Sequence, residues 1–223
     1  MPSEILLKIK NFDMNEDGYL VSGRIFNESE ICNIESELAV IDRAGERAML
    51  DYKWCQGLAQ SLQDRLSASI QGLADLAPVQ CTYFSKNQSK NWLVAWHQDR
   101  SLPLMEGQKY DGPVRTKGGK RYYQPIEQEL SKVVAIRLSI DDNNAMNGGL
   151  RLLPRTHRHG ILSEDDILRM DTDDGVHIPD VERGAALVMS PLLLHSSSKA
   201  KSDKQRRVLH FTFHKKSGYD DVT

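Results

Sequence analysis

Cysteine is scarce. Three residues, Cys32, Cys55 and Cys81, are spread through 223 positions, and no two form a CxxC pair. That excludes a zinc ribbon and a disulfide framework, and a reduced, cytoplasmic setting is expected. An excess of positive charge is also missing: 29 Lys and Arg stand against 31 Asp and Glu, a net charge of −2. The basic footprint of a nucleic-acid binder is therefore lacking, and no nucleic-acid partner is expected. No apolar run approaches the ~20 residues of a membrane span. Residues 1–10 lack the long apolar stretch of a signal peptide, so no membrane partner is expected either. There is no internal repeat and no low-complexity segment. What is left is a chain long enough to bury a core without staples, expected to form one domain over 1–223.

Two textures divide it. Gly18 to Phe26 has the pattern of a short strand and turn, and Asn27 followed by Glu28-Ser29-Glu30 reads as an N-cap with an acidic N3 residue. Ile31, Ile34, Leu38 and Ile41 follow at helical spacing. A second helix is expected from about Tyr52 to Leu76, with Leu58, Leu62, Leu66, Ile70 and Leu73 as its core stripe. The helical part thus runs over about 27–76. From about 79 to 215 come short β-rich runs at 79–85, 92–99, 132–140, 149–153, 185–190 and 207–214, separated by Gly, Pro and polar clusters. Helices first and many strands later predict an α+β chain with a β-sandwich or barrel core.

Some motifs carry no chemistry. Asp13, Asn15, Asp17 and Gly18 sit at calcium-loop offsets, but the twelfth position, which needs a glutamate, is Arg24. A polar turn is expected there. The acidic run Asp171 to Asp174 is read as a solvated loop, and so is the basic thickening between Lys109 and Arg121.

The segment Asn91-Trp92-Leu93-Val94-Ala95-Trp96-His97-Gln98-Asp99 is different. In a strand, alternate side chains share a face. Asn91, Leu93, Ala95, His97 and Asp99 would point one way, and Trp92, Val94, Trp96 and Gln98 the other. An imidazole and a carboxylate leaving one face at a strand's end can grip one edge of a divalent metal. His-x-Asp alone is a weak signal, and a third ligand must come from elsewhere. His157 with His159, His177 and His195 are the choices before the final strand, which carries His210 and His214. His195 has the best context. An apolar strand leads into it, a polar loop from Ser196 to Lys204 turns the chain, and Arg206 and Arg207 open another apolar strand. Two histidines and a carboxylate on one side of a metal is the pattern of non-haem iron(II) oxygenases. An arginine deeper in the cavity can hold a carboxylate by a bidentate pair. Of the remaining histidines, His157 is expected to order its loop, His159, His177 and His214 to lie at the surface, and His210 to be a satisfied strand residue near the pocket.

The chain resembles the phytanoyl-CoA dioxygenase family of iron(II)- and 2-oxoglutarate-dependent oxygenases. The marks are Trp96-His97-Gln98-Asp99, then Asn147-Gly148-Gly149 through Pro154-Arg155-Thr156-His157, then His195-Ser196-Ser197 with Arg206 eleven residues on. Arg155 stands where the family's segment usually has glycine. The resemblance implies a double-stranded β-helix, the jelly-roll or cupin-like fold, with N-terminal helices packed on one sheet. It implies His97, Asp99 and His195 as catalytic iron ligands and Arg206 as the residue for the distal carboxylate of 2-oxoglutarate, with Arg207 as the competing choice. Arg206 shares a face with Val208, His210 and Thr212, the more polar one. Asn91, on the ligand face, is a further candidate for holding the cosubstrate or else a strand-entry turn residue.

The cofactors implied are Fe(II), 2-oxoglutarate as cosubstrate and O2, and the partner a small-molecule substrate, an anionic one included. Family members that halogenate lack the carboxylate ligand, so Asp99 implies hydroxylation or a related oxidation, with release of succinate and CO2. The long Gly-, Lys- and Arg-rich segment from Arg100 to Tyr123 is expected to close over the substrate, with Lys117, Lys120 or Arg121 available to an anionic group. The rival reading is a non-catalytic metal- or ligand-binding jelly roll. A zinc hydrolase on the same ligands has no use for Arg206 and shows no obvious general base. Nothing in the sequence sets an oligomeric state.

Overall fold

The computed structural model describes residues 14–215 apart from 42, 44, 106, 109 and 173. Residues 1–10, Asp13, Lys109 and Asp173, on which some sequence readings rest, lie outside the described residues. Along the chain come β1 (Tyr19–Arg24), α1 (Glu28–Leu38), β2 (Gly45–Glu46), α2 (Lys53–Leu66), β3 (Leu76–Lys86), β4 (Val94–His97) and β5 (Leu102–Pro103). Then follow β6 (Arg115–Lys117), β7 (Lys120–Tyr123), α3 (Glu127–Leu130), β8 (Val134–Ser139), β9 (Leu150–Leu152), α4 (Glu164–Arg169), β10 (Ala185–Met189), β11 (His195–Ser197) and β12 (Arg206–Lys215).

A six-stranded antiparallel sheet in the order β1-β10-β8-β12-β3-β2 is the backbone of the fold, and a three-stranded sheet β4-β11-β9 supplies the second layer of the jelly roll. Strand alternation gives the large sheet two unlike faces. Leu20, Ile136, Leu138, Val188, Leu209 and Phe211 go to one side. They pack against Ile31, Ile34 and Leu38 of α1 and Leu58, Leu62 and Leu66 of α2, so the helices cover this face. Each of these side chains contributes about 1.5–3 kcal/mol by leaving water. The opposite face carries the interleaved residues. At one end they are apolar: Tyr19, Val21, Leu187 and Met189 meet Leu150 and Leu152 of the small sheet. At the other end they are polar, and a cavity opens there.

Helix α1 starts where its sequence asks. The Asn27 side chain accepts from the Glu30 N–H at 3.0 Å, and the Glu30 carboxylate accepts from the Asn27 N–H at 2.8 Å. This reciprocal pair satisfies two N–H groups that the helix leaves open. Asn27→Ala is expected to cost about 1 kcal/mol, read as a fall of roughly 2–4 °C in the thermal midpoint.

Helix α2 is shorter than its leucine stripe. It ends at Leu66, where the Ser67 N–H bonds Gln63 O, and Gly72 then takes a left-handed φ of +77°. Ile70 and Leu73 are still buried with the rest of the stripe, but on a turn and a 3-10 segment. Pro78 marks the bulge of β3, between the Thr212–Gln80 and Phe213–Pro78 pairings, where a residue without an N–H is tolerated. The described residues of 100–123 also hold more regular structure than their composition implies, since β5, β7 and β6 form a third small sheet. Residues 14–17 form the expected turn, and Gly18, at φ +84°, lies so near the His157 ring that a Cβ would sit 2.5 Å from Nδ1.

Candidate active site

The site begins with the β4–β11 pairing. His195 is the register partner of His97, and on its other side of Leu152. The next pair along is Ser197 with Val94, so β4 spends three residues where β11 spends two. That irregularity breaks the alternation read from the sequence. Val94 and His97 both line the cavity, while Leu93 is 63% exposed and Ala95 is exposed too. Trp92, expected on the far face, lines the cavity as well. Asp99 lies two residues past the strand, its N–H held by Pro191 O at 2.9 Å. The side chain of Gln98 ties this end down, donating to Gly160 O and Leu192 O and accepting from the Leu162 N–H.

His97, Asp99 and His195 come together, each offering one ligand atom, all within 4.8 Å of one another. The Asp99 oxygens lie 3.7 Å from His97 Nε2 and 3.6 Å from His195 Nε2. Both are too long for hydrogen bonds. Both are shorter than two metal–ligand bonds of about 2.0–2.2 Å end to end. Hydrogen bonding decides the tautomers. His97 Nδ1 is 2.9 Å from Ala95 O, and His195 Nδ1 is 2.9 Å from Leu193 O. A carbonyl only accepts, so each Nδ1 carries a proton, and it is Nε2 that each ring, when neutral, presents as a bare lone pair to the common centre. Burial, chiefly, brings the His195 imidazole down to about 4, which keeps it neutral. Burial works against charge on Asp99 too, but attraction to His195, His210 and His97 in their protonated forms at low pH, and to Arg137, prevails and brings its carboxyl down to about 2. Its side chain is 38% accessible, and the accessible part faces the cavity. This is a pre-set donor group of two imidazole nitrogens and an anionic oxygen, the set that suits a divalent iron.

His210 looks similar and is not. Its Nδ1 lies 2.8 Å from Arg137 Nη1, which can only donate, so the Nε2 of His210 carries its proton. That Nε2 faces Asp99 Oδ2 at 3.7 Å. His210 therefore backs the Asp99 carboxylate and offers no lone pair to the common centre. Arg137 is the residue that sequence reasoning missed. An arginine within the apolar run Val133-Val134-Ala135-Ile136-Arg137-Leu138 was the available signal.

The cavity holds about 390 Å3 between the two sheets. Arg206 and Lys86, register partners on β12 and β3, enter it from the large sheet. Arg206 is 3% exposed, its Nη1 makes one long 3.4 Å bond to Asn143, and its Nε is buried without a partner. An orphaned guanidinium of this kind wants a carboxylate. Lys86 donates to Ser197 Oγ at 2.6 Å and Ser198 O at 2.8 Å, and burial, with Arg206 and Arg137 nearby, brings it down to about 7. Arg207 faces the other way. It is held by Asp141 and Glu35 in a network with Arg183 that fastens α1 to the sheet. Asn91 is not brought to the cavity. Its side chain donates to Ala200 O and accepts from the Ala200 N–H, bracing the 196–204 loop.

The other histidines depart from expectation in part. His159 is exposed, and His157 Nε2 sits 3.3 Å from Asn15 O. His177 is half-buried, with its Nδ1 2.6 Å from the Tyr19 hydroxyl, because its backbone pairs with Leu152. His214 is only 9% exposed, since β12 continues past it and sets it 3.8 Å from Glu129. Lys120 is paired with Asp51 at 2.7 Å, and of the basic residues expected to meet substrate only Lys117 lines the cavity.

The sequence model of the phytanoyl-CoA dioxygenase family matches residues 14–208. The chain belongs to the phytanoyl-CoA dioxygenase family. This is a family of Fe(II)/2-oxoglutarate-dependent oxygenases. Arg155 takes a left-handed conformation, at φ +70°, which glycine adopts without strain, and its N–H bonds Asp17 O at 3.0 Å. Among solved structures, the chain is similar to HygX from Streptomyces hygroscopicus with nickel and 2-oxoglutarate bound, at 18% identity and a TM-score of 0.64 over 92% of this chain and 84% of that one. HygX has also been solved with hygromycin B bound (17% identity, TM-score 0.62, 92% and 85% coverage). EctD from S. alaskensis with 2-oxoglutarate and 5-hydroxyectoine matches at 15% identity and a TM-score of 0.65, over 90% of this chain and 73% of that one. These likenesses show the shared fold. A search of curated proteins gives no match. Among the described residues no helix is long and apolar enough to cross a membrane.

Proposed function

We propose that this family member hydroxylates a small molecule, with His97, Asp99 and His195 holding Fe(II) and Arg206 holding the distal carboxylate of 2-oxoglutarate. The observation that carries this is the pairing of two features in one cavity. Two histidines bare their Nε2 atoms beside an anionic aspartate, and a buried arginine lacks a counterion. Bound iron and 2-oxoglutarate would supply the oxidising chemistry, with O2 consumed and succinate and CO2 released. The protein's share is geometric and electrostatic. Ala95 and Leu193 carbonyls fix the two rings, Pro191 fixes the aspartate backbone, and His210 backs the carboxylate. Arg206 orients the cosubstrate along the cavity by a charge-assisted pair. Asp99 fills the position that halogenating members leave without a carboxylate, which favours hydroxyl transfer. Asn91 acts as a brace for the 196–204 loop. A cytoplasmic place of work fits the unpaired Cys55 and Cys81 buried together in the core.

The test uses pure protein. Anaerobic addition of Fe(II) and then 2-oxoglutarate should produce the visible charge-transfer band of the chelate, and admitting O2 with ascorbate should yield succinate. No band and no succinate, with or without candidate metabolites, would leave a non-catalytic jelly roll as the better description.

A further inference from the structure

The cavity carries more positive charge than iron and 2-oxoglutarate can use. Lys86, Arg137 and Arg206 are all at least nine-tenths buried and all line it. Half-buried Arg47 and Arg100 and exposed Lys117 line it as well, and Asp99 is the one acid among the described lining residues. The buried cations occupy two levels of the large sheet. Arg206 is opposite Lys86, whereas Arg137 is opposite His210, four residues farther along β12. At about 3.4 Å per residue the two backbone levels are roughly 14 Å apart. The first level suits the distal carboxylate of the cosubstrate. At the second, the one acid is Asp99. Arg137 spends Nη1 on His210 and lies 5.6 Å over the Phe84 ring, and among the described residues it makes no ion pair with a carboxylate. Asp99, whose charge it feels without touching it, would be neutralised by the metal that Asp99 helps to hold. A buried guanidinium left in that position is costly unless an anion joins it.

We propose that Arg137 is the seat for an oxyanion of the primary substrate, a carboxylate or a phosphate, beside the metal centre. This rests on the iron and 2-oxoglutarate reading of the same cavity and adds the substrate's chemical class. Arg47, Arg100 and Lys117 then form a positive approach that raises the capture rate of such a molecule, most strongly at low salt. The carbon to be oxidised lies within a short span of the charged group, because Arg137 and Asp99 share His210 as a neighbour.

The test loads the protein anaerobically with Fe(II) and 2-oxoglutarate and titrates it separately with inorganic phosphate and with acetate at constant ionic strength. The charge-transfer band and the fluorescence of cavity-lining Trp92 are followed together. One of the two anions should bind saturably and shift the band without abolishing it, and which one does so separates phosphate from carboxylate substrates. Arg137→Gln keeps a donor for His210 but removes the charge. It should still form the band and bind the anion about tenfold more weakly or worse. The proposal is overturned if neither anion binds, if the anion erases the band by competing with 2-oxoglutarate, or if Arg137→Gln loses the band. A wild-type protein with no band overturns the iron reading and this one with it. A band that no anion perturbs overturns this one alone.

Discussion

His195→Ala is expected to abolish both the anaerobic Fe(II)–2-oxoglutarate band and succinate formation. His195 is 2% exposed and its ring is fixed by the Leu193 carbonyl, so its Nε2 is held at the common centre. Removing it leaves His97 and Asp99, a two-atom edge with no third donor among the described residues. Loss of a mere supporting partner costs roughly 10–100-fold in metal affinity or activity, and loss of a ligand in a three-ligand set should exceed that. Neutral His210 does not substitute, because its Nε2 carries a proton while Nδ1 accepts from Arg137. The variant also empties a buried site, so its thermal midpoint must be measured beside the wild type. His97→Ala, at a side chain 39% exposed to the cavity, provides the same metal test with less disturbance of packing. Retention of the band in both folded variants would place the metal elsewhere.

The legible parts of this protein are those in which one periodicity persists. The long strands of the large sheet alternate cleanly, so β8, β10 and β12 lie within two residues of their sequence-based positions, and the polar face of β12 correctly separates Arg206 from Arg207. Errors arise where a pattern outlives its structure. The leucine stripe of α2 continues through Ile70 and Leu73, and burial is preserved there after the helix has ended. In the tryptophan-rich segment the failure is the reverse. The chain keeps a strand-like composition, but the irregular pairing at Val94 shifts its faces, so His97 reaches the cavity while Asn91 and Leu93 do not. His97 and Asp99 stay together despite this because the β11 pairing fixes His97 and the Pro191 carbonyl fixes Asp99. Lys86 was illegible for a different reason, and Arg137 showed only as an arginine in an apolar run. Each is a single cation at a strand position, and its burial in the cavity without a carboxylate partner is a property of the assembled fold.

Arg206→Ala should raise the half-saturation concentration for 2-oxoglutarate by roughly 30- to 1,000-fold, corresponding to about 2–4 kcal/mol for a desolvated charge-assisted pair. Iron binding by His97, Asp99 and His195 should be retained, since Arg206 touches none of them. The control is its neighbour. Arg207→Ala breaks the buried side of the network with Asp141, Glu35 and Arg183 and should lower the thermal midpoint while leaving cosubstrate affinity close to wild type. The two arginines are adjacent in sequence and carry the same charge, so any effect of net charge or of ionic strength falls on both. Only the alternation of β12 distinguishes them, by sending Arg206 into the cavity and Arg207 to the helix side. Titrating the band of the anaerobic chelate in each variant, with thermal melts alongside, measures both quantities. Equal losses of 2-oxoglutarate affinity in the two variants would show that the distal carboxylate is not held by Arg206, and would direct attention to Lys86, its register partner across the ladder.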